Sequence, residues 1–216
     1  MKRLSILLAL ALFSCDAVLV HSPLPSNTEA LKSWPPEFAG SWKGDDMQVS
    51  FLSDRMIMEQ KQIRMVEPGQ EYLKSHQLLF IKDTAEHKLS HGYPYIEENG
   101  GIRYEVTEQE EMVLGLNWRL MPLQSGYLLN YRDQAADWWN MLYLKFVSAD
   151  ELEVWTLEKE DLPLLSDCDE LYRHESNTGN VFYLWCDIDQ PRMDELIAQG
   201  LFSHIDEPLV LKRQAE

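Results

Sequence analysis

The tract GIRYEVTE at 101–108 places Ile102, Tyr104 and Val106 on one side of an extended chain and Arg103, Glu105 and Thr107 on the other. Further on, MVLGLNWRL at 112–120 aligns Met112, Leu114, Leu116, Trp118 and Leu120, with Val113, Gly115, Asn117 and Arg119 opposite. Period two belongs to the β-strand, whose successive side chains point to opposite faces, and a helix cannot gather such a pattern on one stripe. Further strand segments stand at 47–52, 56–61, 72–82, 127–132, 141–147, 152–158, 181–186 and 209–213. Turn formers separate them: SD at 53–54, EPG at 67–69, ENGG at 98–101, QSG at 124–126, SAD at 148–150 and NTGN at 177–180. One helix is marked, in DQPRMDELIAQG. Pro191 suits its first turn, Met193, Leu196 and Ile197 share a face, and Gly200 can end it. The strand PLVLKR follows. These signals predict a mainly β protein, an antiparallel β-barrel or sandwich with one late α-helix and a closing strand.

The amino end obeys a different logic. Lys2 and Arg3 precede an apolar run from Leu4 to Phe13, which stops at Ser14, Cys15 and Asp16. Ten apolar residues are the length of a signal-peptide core and about half of a membrane span. Leu12-Phe13-Ser14-Cys15 resembles a bacterial lipobox. That resemblance implies cleavage before Cys15 and acylation of its sulfur and new amino group. Asp16 resembles the inner-membrane retention signal of some Gram-negative lipoproteins. Ordinary cleavage nearby, for example after Ala17, is the alternative. The expected organisation is a signal peptide at 1–14, a lipid-attachment site and tether at 15–36, and a single β-barrel domain at 37–216. The tether is inferred from HSPLPSNTEALKSWPP, with four prolines in polar surroundings. The expected place is the periplasmic face of a bacterial envelope, held to the membrane by several acyl chains.

The chain carries 19 basic and 36 acidic side chains, a net charge of −17. So negative a surface repels nucleic-acid phosphates and anionic membrane faces, and no nucleic-acid partner is expected. With Cys15 assigned to lipid, Cys168 and Cys186 remain, and two thiols in an exported chain tend to pair. Two unpaired thiols, with Cys186 buried in a strand, form the competing reading.

FAGSWKGDD, Phe38 to Asp46, resembles the Gly-x-Trp opening of the lipocalin-like barrels through Gly40 and Trp42. In that family the Trp closes one end of the barrel beneath a basic residue near the end of the last strand. The resemblance implies that role for Arg213, or failing that Lys212. The family's second motif, Thr-Asp-Tyr, has no counterpart here; LNYRDQ at 129–134 stands nearest to it.

Motifs of catalysis are missing: there is no Gly-x-Ser-x-Gly, Walker loop, Cys-x-x-Cys or His-Glu-x-x-His. EHKLSH brings Glu86, His87 and His91 close in sequence, in what reads as a solvated loop rather than a metal site. EQEE at 108–111 and EKED at 158–161 read as hydrated carboxylates near strand ends. No catalytic, metal or cofactor residues are expected. A hydrolase built from loop carboxylates is a third-ranked reading. The aromatics Trp118, Tyr131, Trp138, Trp139, Tyr143, Trp155, Tyr183 and Trp185 crowd the central and late strands, and adjacent Trp138 and Trp139 should face opposite ways. Trp and Tyr combine an apolar body with a polar tip. The expected function is therefore binding of a hydrophobic or amphiphilic small molecule in the barrel mouth, lined by Tyr104, Trp118 and Tyr131. The alternative is an envelope scaffold whose barrel is filled solid.

Overall fold

Alternation in sequence becomes a strand-dominated architecture. The structure, a computed structural model, describes residues 17–45, 47–66, 80–82, 87–89, 95–98, 101–115, 117–132, 137–176, 179–203 and 207–215. Its strands in chain order are β1 (Ala17–Val20), β2 (Gly40–Lys43), β3 (Met47–Phe51), β4 (Arg55–Val66), β5 (Phe80–Lys82), β6 (His87–Leu89), β7 (Tyr95–Glu98) and β8 (Gly101–Val113). There follow β9 (Trp118–Pro122), β10 (Tyr127–Tyr131), β11 (Asn140–Ser148), β12 (Glu151–Thr156), β13 (Asp169–Ser176), β14 (Gly179–Trp185) and β15 (Leu209–Arg213). Helix α1 spans Gln190–Ala198, and 3₁₀ turns lie at Pro36–Phe38 and Lys159–Leu165.

The chain divides into two compact units. The smaller covers 59–110 and holds β4 from Glu59 onward and β8 up to Glu110, with β7 antiparallel on β8 and β5 antiparallel on β6. Lys61 and Glu105 form an exposed ion pair there at 3.1 Å. The larger unit, 1–58 and 111–216, carries the rest. Its main sheet runs β4-β3-β2-β15-β12-β11-β10-β9, with antiparallel pairing through β2–β3, β15–β2, β12–β15, β11–β12 and β10–β9. One buried cluster takes side chains from both ends of this row, Met56 and Met58 on β4 and Leu120 on β9, so the sheet curls around it. Trp34, Phe38, Trp42 and Phe51 fill its centre, with Phe38 ringed at 4.8–5.3 Å by Trp34, Phe51, Tyr127 and Phe146.

The opposite face of β9–β12 is also covered. Met121, Leu128, Met141 and Tyr143 pack against Val18, Val20, Phe182 and Leu184 of a second sheet, ordered β1-β14-β13, and against Met193 and Leu196 of α1. Asp189 caps α1 by accepting from the Arg192 N–H at 2.9 Å, and Met193 and Leu196 are buried on the expected face. Gly200, at φ +106, follows the helix in the left-handed region that favours glycine.

Three local readings change. MVLGLNWRL is not one strand: the Gly115 N–H donates to Trp118 O at 2.7 Å, a turn that separates β8 from β9. DELYRHES forms β13 although it lacks clean alternation, because a register shift between Glu170 and Tyr172 sets Leu171 out of step. His87–Leu89, inside the segment read as a loop, is β6, while Glu86 and His91 lie outside the described residues, as do 72–79 of a predicted strand.

The segment expected as a tether is packed from Ala17 onward. β1 lies parallel to β14, with Val18 opposite Phe182 and Val20 opposite Leu184. Asn130, fully buried on β10, then grips Leu24 by both backbone groups: its amide donates to Leu24 O at 2.7 Å and accepts from Leu24 N–H at 2.9 Å. Leu31 bridges Leu120, and Trp34 N–H donates to Ser53 O. Leu24 and Trp34 supply apolar anchors at intervals, which is why a proline-rich stretch with few backbone donors still docks.

Gly126 closes the β9–β10 turn, where a Cβ would stand 2.3 Å from Leu144 O and 3.1 Å from the Tyr143 ring. Gly126→Ala should cost about 1–3 kcal/mol through forced displacement of backbone. The check is the urea midpoint at constant slope; an unchanged midpoint would refute the close packing of this turn.

Candidate functional site

A cleft of about 390 Å³ opens on the outer face of the main sheet, between β11, β12 and the end of α1. Tyr143 and Trp155 are direct cross-strand partners and form its floor. Ile197, Ala198, Leu201 and Phe202, from α1 and the turn beyond it, form one wall. Gln124 and Ser125 in the β9–β10 turn contribute a polar lip, with Lys145 and Asp194 beside them.

Hydrogen bonds hold this floor in place. The Tyr143 hydroxyl donates to Ser125, with Oγ at 2.8 Å and the carbonyl at 3.0 Å. Burial lifts its phenol above the ordinary range, and the negative charges of Asp194 and Glu153 push the same way. It therefore stays a neutral donor. Trp155 Nε1 donates to Glu153 Oε2 at 3.1 Å, the oxygen that also faces Lys145 Nζ at 3.5 Å. Phe202 stacks on Tyr143 with centroids 5.7 Å apart, although its backbone is at φ 71°. A bulky residue in that region is strained and persists only where its surroundings hold it. Here the holder is Asp161, fully buried, whose Oδ1 accepts the Phe202 N–H at 2.9 Å. Within EKED, Glu160 is exposed as read, but Asp161 is buried and forms a capping box with Glu158 on the 3₁₀ turn.

Asp194 is the unusual member. Its Oδ1 accepts the Gln124 N–H at 2.9 Å, while Oδ2 is shut from solvent and has no hydrogen-bond partner among the described residues. A carboxylate oxygen in that condition carries a desolvation cost that a donor would remove. Chemically, the cleft offers aromatic and aliphatic walls, a neutral phenol and one unanswered acceptor.

Trp118 and Tyr131, expected from sequence to line a ligand site, are not among the residues lining this cleft. Trp118 and Tyr131 are cross-strand partners stacked at 5.0 Å and 11°, with Tyr131 buried in the packed concave cluster. Tyr104 pairs in backbone register with Tyr95, and its side chain lies outside what is described. Cys15 also lies outside the described residues. Cys168 and Cys186 form the expected disulfide. Gly40, Trp42 and Arg213 come together: Arg213 Cζ stands 4.2 Å from the Trp42 ring, and its guanidinium donates to the carbonyls of Glu37, Ala39 and Ala149. Lys212 is exposed and pairs with Lys43. Gly40 itself sits at φ +111, a conformation only glycine adopts without strain. Of the paired tryptophans, Trp139 is buried and Trp138 lies on the outer side.

Tyr143 and Trp155 belong to the aromatic group noted in sequence; Asp194, Phe202 and Ser125 carried no signal, since a helical carboxylate and a turn serine are ordinary surface residues. Among the described residues no group of three or more His, Cys, Asp or Glu could hold a metal ion, and no helix is long and apolar enough to cross a membrane. Comparison with family models, curated proteins and solved structures found no match to this chain.

Proposed function

We propose that this is an exported, lipid-anchored envelope protein of lipocalin-like type that binds a small amphiphile bearing a hydrogen-bond donor, in the outer cleft rather than in the barrel mouth. The observation that carries the reading is the buried, unanswered Oδ2 of Asp194 beside a floor of Tyr143, Trp155 and Phe202. A cleft of this size lies within the range of small-molecule sites, and apolar walls with a few placed polar groups are their usual make-up. The concave side, filled by Trp34, Phe38, Trp42 and Phe51, leaves a ligand little reason to enter there. A turn of the half-buried Asp194 carboxylate would present Oδ2 to an ammonium or hydroxyl head whose apolar body lies over Trp155. The net charge of −17 favours a cation. The disulfide supports passage through an oxidising compartment, and the Trp42–Arg213 pair supports the lipocalin-like reading.

Titrating tryptophan emission with alkyl amines, alcohols and carboxylates of equal chain length should rank the amines tightest. Asp194→Asn keeps an acceptor for Gln124 but loses the charge, and should weaken amine binding about 10-fold or more, the worth of a charge-assisted hydrogen bond. Equal affinity in the variant would sink the assignment. Flat titrations across the whole panel would favour the second reading, an envelope scaffold, for which the solid packing of the concave face is the supporting observation.

A further inference from the structure

The three-stranded sheet β1-β14-β13 has two faces of opposite use. Val18, Val20, Phe182, Leu184 and Cys186 point into the core. The other face carries Leu19 opposite Tyr183, then Tyr172 opposite Tyr183 on the next strand, with Trp185 beyond. Trp185 is 49% exposed and Tyr172 58%. The rings touch one another: His21 stacks on Trp185 at 4.1 Å, Trp138 meets Tyr183 at 4.9 Å, and Tyr172 meets Tyr183 at 5.5 Å. An exposed, continuous group of Trp and Tyr on a soluble protein marks an interaction surface.

The chain path selects the partner. Ala17 opens β1, two residues after Cys15. Two residues span at most about 7 Å, whatever their conformation. An acylated Cys15 therefore leaves no free tether, and the sheet that β1 borders must rest at the lipid surface. Trp and Tyr are the side chains that settle at the headgroup level of a bilayer, apolar body inward and polar tip in water. Anionic lipid is disfavoured by the charge of −17.

We propose that the outer aromatic face of β1-β14-β13 is the membrane-contact surface, seated in the interface of a zwitterionic bilayer beside the Cys15 acyl chains. This rests on the lipid-anchor part of the function proposed above and is independent of the ligand. The mature protein, made with its leader in a Gram-negative host and purified from membranes, is reconstituted in phosphatidylcholine vesicles with brominated acyl chains. Its tryptophan emission should be quenched, and the Trp138→Phe/Trp185→Phe double variant should lose at least half of that quenching. Both rings are at least partly exposed, so the variant keeps the core. Mass spectrometry of the amino terminus separates the two failures. An unmodified terminus overturns the anchor and this face together. An acylated terminus with undiminished quenching in the double variant overturns the face alone.

Discussion

Replacing Asp161 with alanine is expected to destabilise the larger unit by about 2–5 kcal/mol and to abolish the amine binding proposed for the cleft. The carboxylate is fully buried, and its two oxygens answer two separate backbone donors: the Phe202 N–H at 2.9 Å and the Glu158 N–H at 2.9 Å. Truncation leaves both donors without that acceptor in a dry site, at about 1–3 kcal/mol each. It also frees Phe202 from φ 71°, a conformation that its neighbourhood must enforce. The turn at 200–203 should relax, carrying Phe202 off Tyr143 and removing one wall of the cleft. Asp161→Asn preserves one acceptor and should fall between wild type and alanine. Urea unfolding measures the stability, and amine titration measures the wall. An alanine variant within about 0.5 kcal/mol of wild type, the range of an unremarkable surface change, would contradict this account.

The second large effect concerns the disulfide. Cys168 and Cys186, 18 residues apart, tie the turn after the second 3₁₀ segment to the end of β14. On the chain-entropy model a loop of that size is worth about 3 kcal/mol. Because β14 carries β1 on one side and β13 on the other, loosening its end should release the whole second sheet. Cys168→Ser/Cys186→Ser, or reduction with dithiothreitol, should therefore lower the unfolding free energy measured in urea by this amount and increase amide exchange in β1 before β10 or β11. Uniform exchange across both sheets would mean that they unfold as one unit and would defeat the prediction of a local release.

Much of the strand content was readable because alternation survives wherever one face is buried and the other wet. Strand 209–213 and helix α1 stand where period and punctuation place them. β13 escaped because its bulge destroys the period, and β1 escaped because four residues beside a proline-rich stretch read as part of the tether. The second layer was invisible for a related reason. Period two marks a strand with one buried face, but Leu128, Leu129, Asn130 and Tyr131 are all buried, so β10 shows no alternation to read. Of the site, the aromatic floor could be anticipated from composition, whereas Asp194 and Phe202 could not. Their roles depend on an unanswered oxygen and an enforced dihedral angle, and neither property is written in residue type.

The docking of residues 17–34 has a consequence for biogenesis. This stretch finds its partners far along the chain: Leu24 waits for Asn130, Ser26 for Ile188, and β1 for β14. Contacts so distant along the chain are the slowest to close. During folding Val18, Val20, Leu24 and Trp34 must therefore remain uncovered until the distant strands are in place. A nascent form halted before residue 181 would lack the strand that shelters β1, leaving Val18 and Val20 uncovered.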